Sequence, residues 1–231
     1  MTIPERKKRG PFGLKSKMQQ IQERLARIPG KPTTGMRTDY SCNGKKVLFL
    51  HNPKTGGSSL AKLLGTRRLS HSFASDRLSE KNWLDCYSIV AVRNPFERFL
   101  SGYYSHILRP EINGLTKEYG MEIKNISPFE YLEILAKNPK YGGPQSLWTN
   151  FPSARKPTAN LVLKFENISG WVDQIESAGI DLGGKTLGHI NPSERKNADH
   201  LEKLKLTKAE FQRLKEVVEQ FFESDYRQFG Y

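Results

Sequence analysis

Residues 47–64 read VLFLHNPKTGGSSLAKLL, and the reading of this stretch decides the fold. Val47, Leu48, Phe49 and Leu50 form a short unbroken apolar run, the pattern of a strand buried on both faces. Asn52-Pro53 and Gly56-Gly57 then supply turn chemistry. Ser58 or Ser59 can cap a following helix whose apolar residues are Leu60, Leu63 and Leu64. The unit is strand, glycine turn, helix. The first turn of a helix has N–H groups without intrahelical partners and carries partial positive charge. Glycines let the main chain approach a phosphate-like group closely. Lys54 adds a full charge, and Ser58 and Ser59 add hydroxyl donors. The order is not that of a Walker A loop, in which the lysine follows the glycines, because Lys54 precedes Gly56. Gly184-Lys185-Thr186 lacks the upstream strand and glycine that such a loop requires. The plainer alternative is a βα turn with an incidental lysine.

A second unit of the same kind begins at residues 87–92, YSIVAV. This apolar strand ends at Arg93, Asn94 stands at a natural N-cap, and Pro95 occupies the first helical position. The helix is predicted to run through Phe96, Phe99, Leu100 and Tyr103. Repeated strand–helix units argue for an α/β chain with a mainly parallel sheet and helices on its faces. Arg93 then lies at the carboxyl end of a strand, where ligands of open α/β sheets bind. Two cationic turns on one sheet edge suit a ligand with two separated anionic groups.

The rest of the chain is less strongly marked. Residues 1–13 read as mobile, 14–28 as a short helix and 29–44 as linker, so the expected division is a basic leader over 1–44 and one domain over 45–231. Residues 69–74, with His71, predict a weak strand, 76–84 a helix, and 109–127 an irregular polar stretch. A helix follows Ser127-Pro128. Residues 138–158 hold four prolines and Gly142-Gly143 and predict a long loop, in which Gln145 and Trp148 are candidates to line a pocket or simply to pack. Residues 161–165 predict a strand, 168–178 a helix and 179–197 another long loop. Thr207 and Glu210 form a capping-box pattern before a last helix, whose stripe of Phe211, Leu214, Val218 and Phe221 or Phe222 reads as core.

The chain has 231 residues and a net charge of +13, but residues 1–40 carry ten Lys/Arg against three acids. Over half of the basic excess therefore sits in the leader, which weakens any nucleic-acid reading of the remainder. No stretch approaches the roughly 18 apolar residues of a membrane span, and no signal peptide is visible, so the expected location is the cytoplasm. Two cysteines, Cys42 and Cys86, do not make a disulfide framework, and no Cys/His cluster has zinc-ligand spacing.

The motifs resemble the sulfotransferases that use 3′-phosphoadenosine-5′-phosphosulfate (PAPS), most closely the carbohydrate-type branch. FLHNPKTGGSSL is similar to the 5′-phosphosulfate loop of that family, and VRNPFERFLSGYY to its 3′-phosphate motif. SHSFASDRL, GPQSLW, LKFENI, INPSER and ESDYRQFGY continue the likeness in order, over roughly residues 45–231. The resemblance implies a P-loop-like three-layer fold, PAPS as donor, 3′,5′-ADP as product and no required metal. It implies that Lys54 contacts the phosphosulfate and steadies charge on the bridging oxygen. Thr55, Gly56, Gly57, Ser58 and Ser59 would cradle the 5′-phosphate, and Arg93 and Ser101 would hold the 3′-phosphate. The segment SHSFAS resembles a histidine-bearing segment of the branch, which makes His71 the first candidate for general base; a neutral imidazole has suitable basicity near pH 7. A structural role for His71 stays open, as do His51, His106, His189 or an acidic residue as the base. Arg195 or Lys196 of HINPSERK would approach a phosphate, unless that segment is simply a solvated basic loop. The acceptor implied is a carbohydrate or other small molecule bearing a hydroxyl or amine. Two alternatives are a kinase-like phosphotransferase, which would need a Walker lysine and a strand-end carboxylate for Mg²⁺, and a non-catalytic polyanion binder using the leader.

Overall fold

A computed structural model describes residues 37–66, 73–76, 78–109, 112–154, 157–188 and 200–231. Among the described residues the central sheet has four strands, in the order β1 (Arg37–Cys42), β2 (Lys45–Leu50), β3 (Tyr87–Val92) and β4 (Leu161–Lys164). β2, β3 and β4 are parallel, while β1 pairs antiparallel with β2. The linker expected over 29–44 is thus corrected from residue 37 onward. Asn43 (φ 48°) and Gly44 (φ 76°) make a two-residue turn with both residues left-handed, the geometry that matches strand twist in a tight hairpin.

Helices lie on both faces, giving three layers. Val47, Phe49, Ile89, Ala91 and Leu163 point to one side and pack on helix α1 (Gly57–Leu63) and on Trp171 and Ile175. Leu48, Leu50 and Val90 point to the other side, against Phe73, Trp83 and Trp148. Alternate residues of the same apolar runs thus serve opposite layers, as the two-residue period of a strand requires. Trp83 belongs to α2 (Glu80–Leu84), shorter than the 76–84 helix expected and capped by Ser79. α3 (Pro95–Tyr103) starts with Asn94 as N-cap and Pro95 in its first turn, as the sequence predicts, and runs into a π-helical segment, Tyr104–Leu108.

Within 109–127, expected to be irregular, an asparagine capping box at Asn113 starts α4 (Gly114–Tyr119), and a 3₁₀ segment, Met121–Asn125, follows. α5 (Pro128–Lys137) leads to the Gly-Pro loop, which contains the short α6 (Ser146–Thr149). After β4, a 3₁₀ segment, Phe165–Gly170, precedes α7 (Trp171–Ser177). α8 (His200–Leu204), α9 (Lys208–Phe221, with the Thr207–Glu210 capping box) and α10 (Glu223–Phe229) close the chain. Leu214, Val218 and Phe222 of this end join Phe99, Leu100, Tyr131 and Leu132 in a helical core beside the sheet. The strand expected at 69–74 is absent at Phe73 and Ala74, which lead into a 3₁₀ turn; its other residues lie outside those described, as do the leader helix at 14–28 and residues 189–197.

Candidate functional site

The strand register brings three chain turns to one sheet edge. Leu50 pairs with Val90 and Val92 with Lys164, so His51, Arg93 and Phe165 leave adjacent parallel strands at their carboxyl ends. The described strands follow one another in sequence order, so no reversal of strand order marks a switch point; the edge is built by the loops themselves.

The first turn is held from within. The Thr55 hydroxyl donates to the Asn52 carbonyl at 2.8 Å, and Thr55 is fully buried. Lys54 has φ 67°, a left-handed conformation uncommon for a residue with a side chain. Gly56 (φ 77°), rather than Ser58 or Ser59, is the N-cap of α1, and its carbonyl accepts from Ser59 N (3.0 Å) and Leu60 N (3.3 Å). A Cβ at residue 56 would lie 2.9 Å from Phe165 Cδ2 and 3.1 Å from Trp171 Cη2. A Cβ at residue 57 would overlap the imidazole of the buried His51. The two glycines are therefore required by packing beneath the turn as well as by its backbone. Ser58 is exposed and Ser59 half-buried at the start of the helix.

The second turn leans on the same aromatic ring. The Arg93 guanidinium carbon lies 4.5 Å from the Phe165 ring centroid, and its Nη2 is 3.6 Å from Glu97 Oε2. A guanidinium over an aromatic face is held there by the ring quadrupole. Phe165 is thus a shared floor, with its edge against Gly56 and its face under Arg93. The next residue, Glu166, accepts from Asn94 N (2.7 Å) through Oε1 and from the Tyr231 hydroxyl (2.9 Å) through Oε2. Burial, with the Glu166 carboxylate alongside, pushes the Tyr231 hydroxyl well above its ordinary value. Ser101 is half-buried in the last turn of α3, on the helix that Arg93 introduces.

Beneath the turns is a buried polar network. Gln145 Oε1 accepts from Arg93 N (2.9 Å) and Asn52 Nδ2 (3.0 Å), while its Nε2 donates to Arg93 O (2.8 Å). Asn52 Nδ2 also donates to Ala91 O at 3.1 Å, and Asn52 Oδ1 accepts from Arg98 Nη1 at 3.4 Å. Arg98 Nη2 donates to the carbonyls of Gly142 and Gly143. Both oxygens of Asp225, on α10, accept from Gln145 N at 2.9 and 2.8 Å. Burial pushes Asp225 up to about 6, opposed by the positive charge of Arg98, and brings Arg98 down to about 10. Gln145 and Trp148, candidates to line a pocket, are instead fully buried.

Of the residues singled out from sequence, Lys54, Thr55, Gly56, Gly57, Ser58 and Ser59 come together with Arg93 along this edge, and Ser101 lies on the adjoining helix. His71, His189, Arg195 and Lys196 lie outside the described residues. His106 sits in the helical layer, its Nδ1 2.8 Å from the Tyr131 hydroxyl. Sequence reasoning missed Asn52, Phe165, Arg98 and Asp225. One signal was present for Asp225: it falls on the buried stripe that continues through Phe222 and Phe229, where a carboxylate is out of place without a partner.

No curated protein and no solved structure matches the chain. A family model does match, over residues 41–142, a little under half of the chain. The matched segment contains both cationic turns and the helices they start, whereas GPQSLW, LKFENI and the C-terminal motif lie beyond it. Over that segment the chain matches the model of the sulfotransferase family.

Proposed function

We propose that this protein moves the sulfuryl group of PAPS to a hydroxyl or amine of an acceptor, a carbohydrate being the acceptor class that the motif resemblance favours. The observation that carries this reading is the shared floor: Arg93 stacks on Phe165 and Gly56 abuts the same ring, so two cationic turns face one edge. The residues present fit a doubly anionic nucleotide. Neither glycine has room for a side chain, because Phe165, Trp171 and His51 fill the places a Cβ would take, and the charges for an anion come from Lys54 and Arg93.

In this reading, Lys54 and the N–H groups at the start of α1 hold the 5′ end, with the hydroxyls of Ser58 and Ser59 as further donors. Arg93 and Ser101 hold the 3′-phosphate. PAPS supplies the activated sulfuryl group when bound. The chain's own contribution would be to align that group, to stabilise with Lys54 the negative charge left on the bridging oxygen of the departing nucleotide as the sulfur–oxygen bond opens, and to accept the acceptor's proton at His71. The positive field comes from lysine, arginine and backbone dipoles.

Isothermal titration with 3′,5′-ADP, 5′-AMP and ATP in the absence of Mg²⁺ tests the reading. The expected result is a preference for 3′,5′-ADP. Hydrogen bonds to charged groups contribute about 1.5–3 kcal/mol each, so Arg93→Ala should cost about tenfold to a hundredfold in 3′,5′-ADP affinity and leave 5′-AMP nearly unchanged. Equal affinity of the unaltered protein for 3′,5′-ADP and 5′-AMP would overturn the reading.

A further inference from the structure

The Gln145 side chain has no solvent exposure, yet it makes three hydrogen bonds to two different turns. Two of them pair both main-chain groups of Arg93, as a neighbouring strand would beyond the end of β3. The third takes the side-chain amide of Asn52, the residue whose carbonyl closes the Lys54 turn by accepting from Thr55. Asn52 is itself fixed to β3 through Ala91 O. A buried amide that satisfies partners on both sides has one low-energy placement, because every unmade bond would leave a buried polar group without water.

We propose that Gln145 is a positioning residue that fixes the Lys54 turn and the Arg93 turn relative to each other, so that the protein discriminates a bisphosphorylated from a monophosphorylated nucleotide. Gln145 reaches no ligand itself. It is placed from the far side by Asp225, whose two oxygens take its main-chain N–H. The selectivity half of this inference rests on the donor reading above; the mechanical half does not.

The test uses Gln145→Met, which keeps volume and removes every side-chain hydrogen bond, with Val218→Ala as a destabilised control in the helical core. Hydrogen exchange without ligand comes first. In Gln145→Met, amides of both residues 52–58 and residues 91–95 should exchange at least about tenfold faster than in the control, as the loss of a coupled network requires. Faster exchange confined to 91–95 would overturn the inference, since it would show a local role at Arg93 alone. Titration comes second. The ratio of 5′-AMP to 3′,5′-ADP dissociation constants should fall about tenfold in Gln145→Met, because a small misplacement between two charged contacts is costly, and should hold in the control. An unchanged ratio in a folded variant would overturn it. Equal binding of both nucleotides by the unaltered protein would overturn the donor reading and the selectivity half together, and the exchange result would still decide whether the turns are coupled.

Discussion

Replacing Asp225 by Asn should change how stability depends on pH, and the change has a worked sign. Asp225 is fully buried and its carboxyl is raised from an ordinary 3.8 to about 6, chiefly by burial. A carboxyl raised in the folded state binds its proton more readily there than in the unfolded chain. Its favourable contribution is complete below about 3.8 and is lost as pH rises through about 6. About 1.36 kcal/mol attends each unit, so the whole effect is about 3 kcal/mol, of which about 2 kcal/mol falls between pH 4.5 and 7.5. Urea unfolding at several pH values, read as the unaltered protein minus Asp225→Asn, isolates this residue because the other carboxylates cancel. Urea is preferred because it adds no salt to screen Arg98. The stability difference should decline by about 2 kcal/mol across that window. A flat difference, or one that rises with pH, would refute the reasoning and mean that Arg98 holds Asp225 ionised as a compensated pair.

Three further outcomes are expected. Gly56→Ala forces a side chain into a left-handed residue against Phe165 and Trp171; strain of about 1–2 kcal/mol plus overpacking of about 1–3 kcal/mol should lower the melting temperature by several degrees. Phe165→Leu removes the ring beneath Arg93, worth about 0.5–1 kcal/mol, so 3′,5′-ADP should bind about twofold to fivefold more weakly by titration while 5′-AMP binding changes less. His71→Ala should reduce sulfuryl transfer by about a hundredfold or more, the usual worth of a general base, while 3′,5′-ADP still binds with near-unaltered affinity; retained transfer would move the role to another residue.

Much of the frame was legible in the chain. The run Val47 to Leu50 and the segment 87–92 are strands, and Asn94-Pro95 opens a helix, because these signals act within a few residues. The capping box of Thr207 and Glu210 is present for the same reason. Asn43-Gly44 is an equally local hairpin signal, and it joins β1 to β2 within a stretch whose composition otherwise suits a linker. The helix start at Gly56 was displaced from the serines because close packing by Phe165 and His51 favours glycine there.

What sequence by itself determined was the order of the parts: two strand–turn–helix units with a lysine in one turn and an arginine ending the other strand, set by periodicity and turn chemistry. What only the tertiary structure decided was how those turns are held against each other. Asn52 meets Gln145 across 93 residues, Gln145 meets Asp225 across 80, and Phe165 reaches both turns from the end of a third strand. A buried polar side chain takes whichever partner the completed fold sets beside it, and local pattern carries no record of that choice.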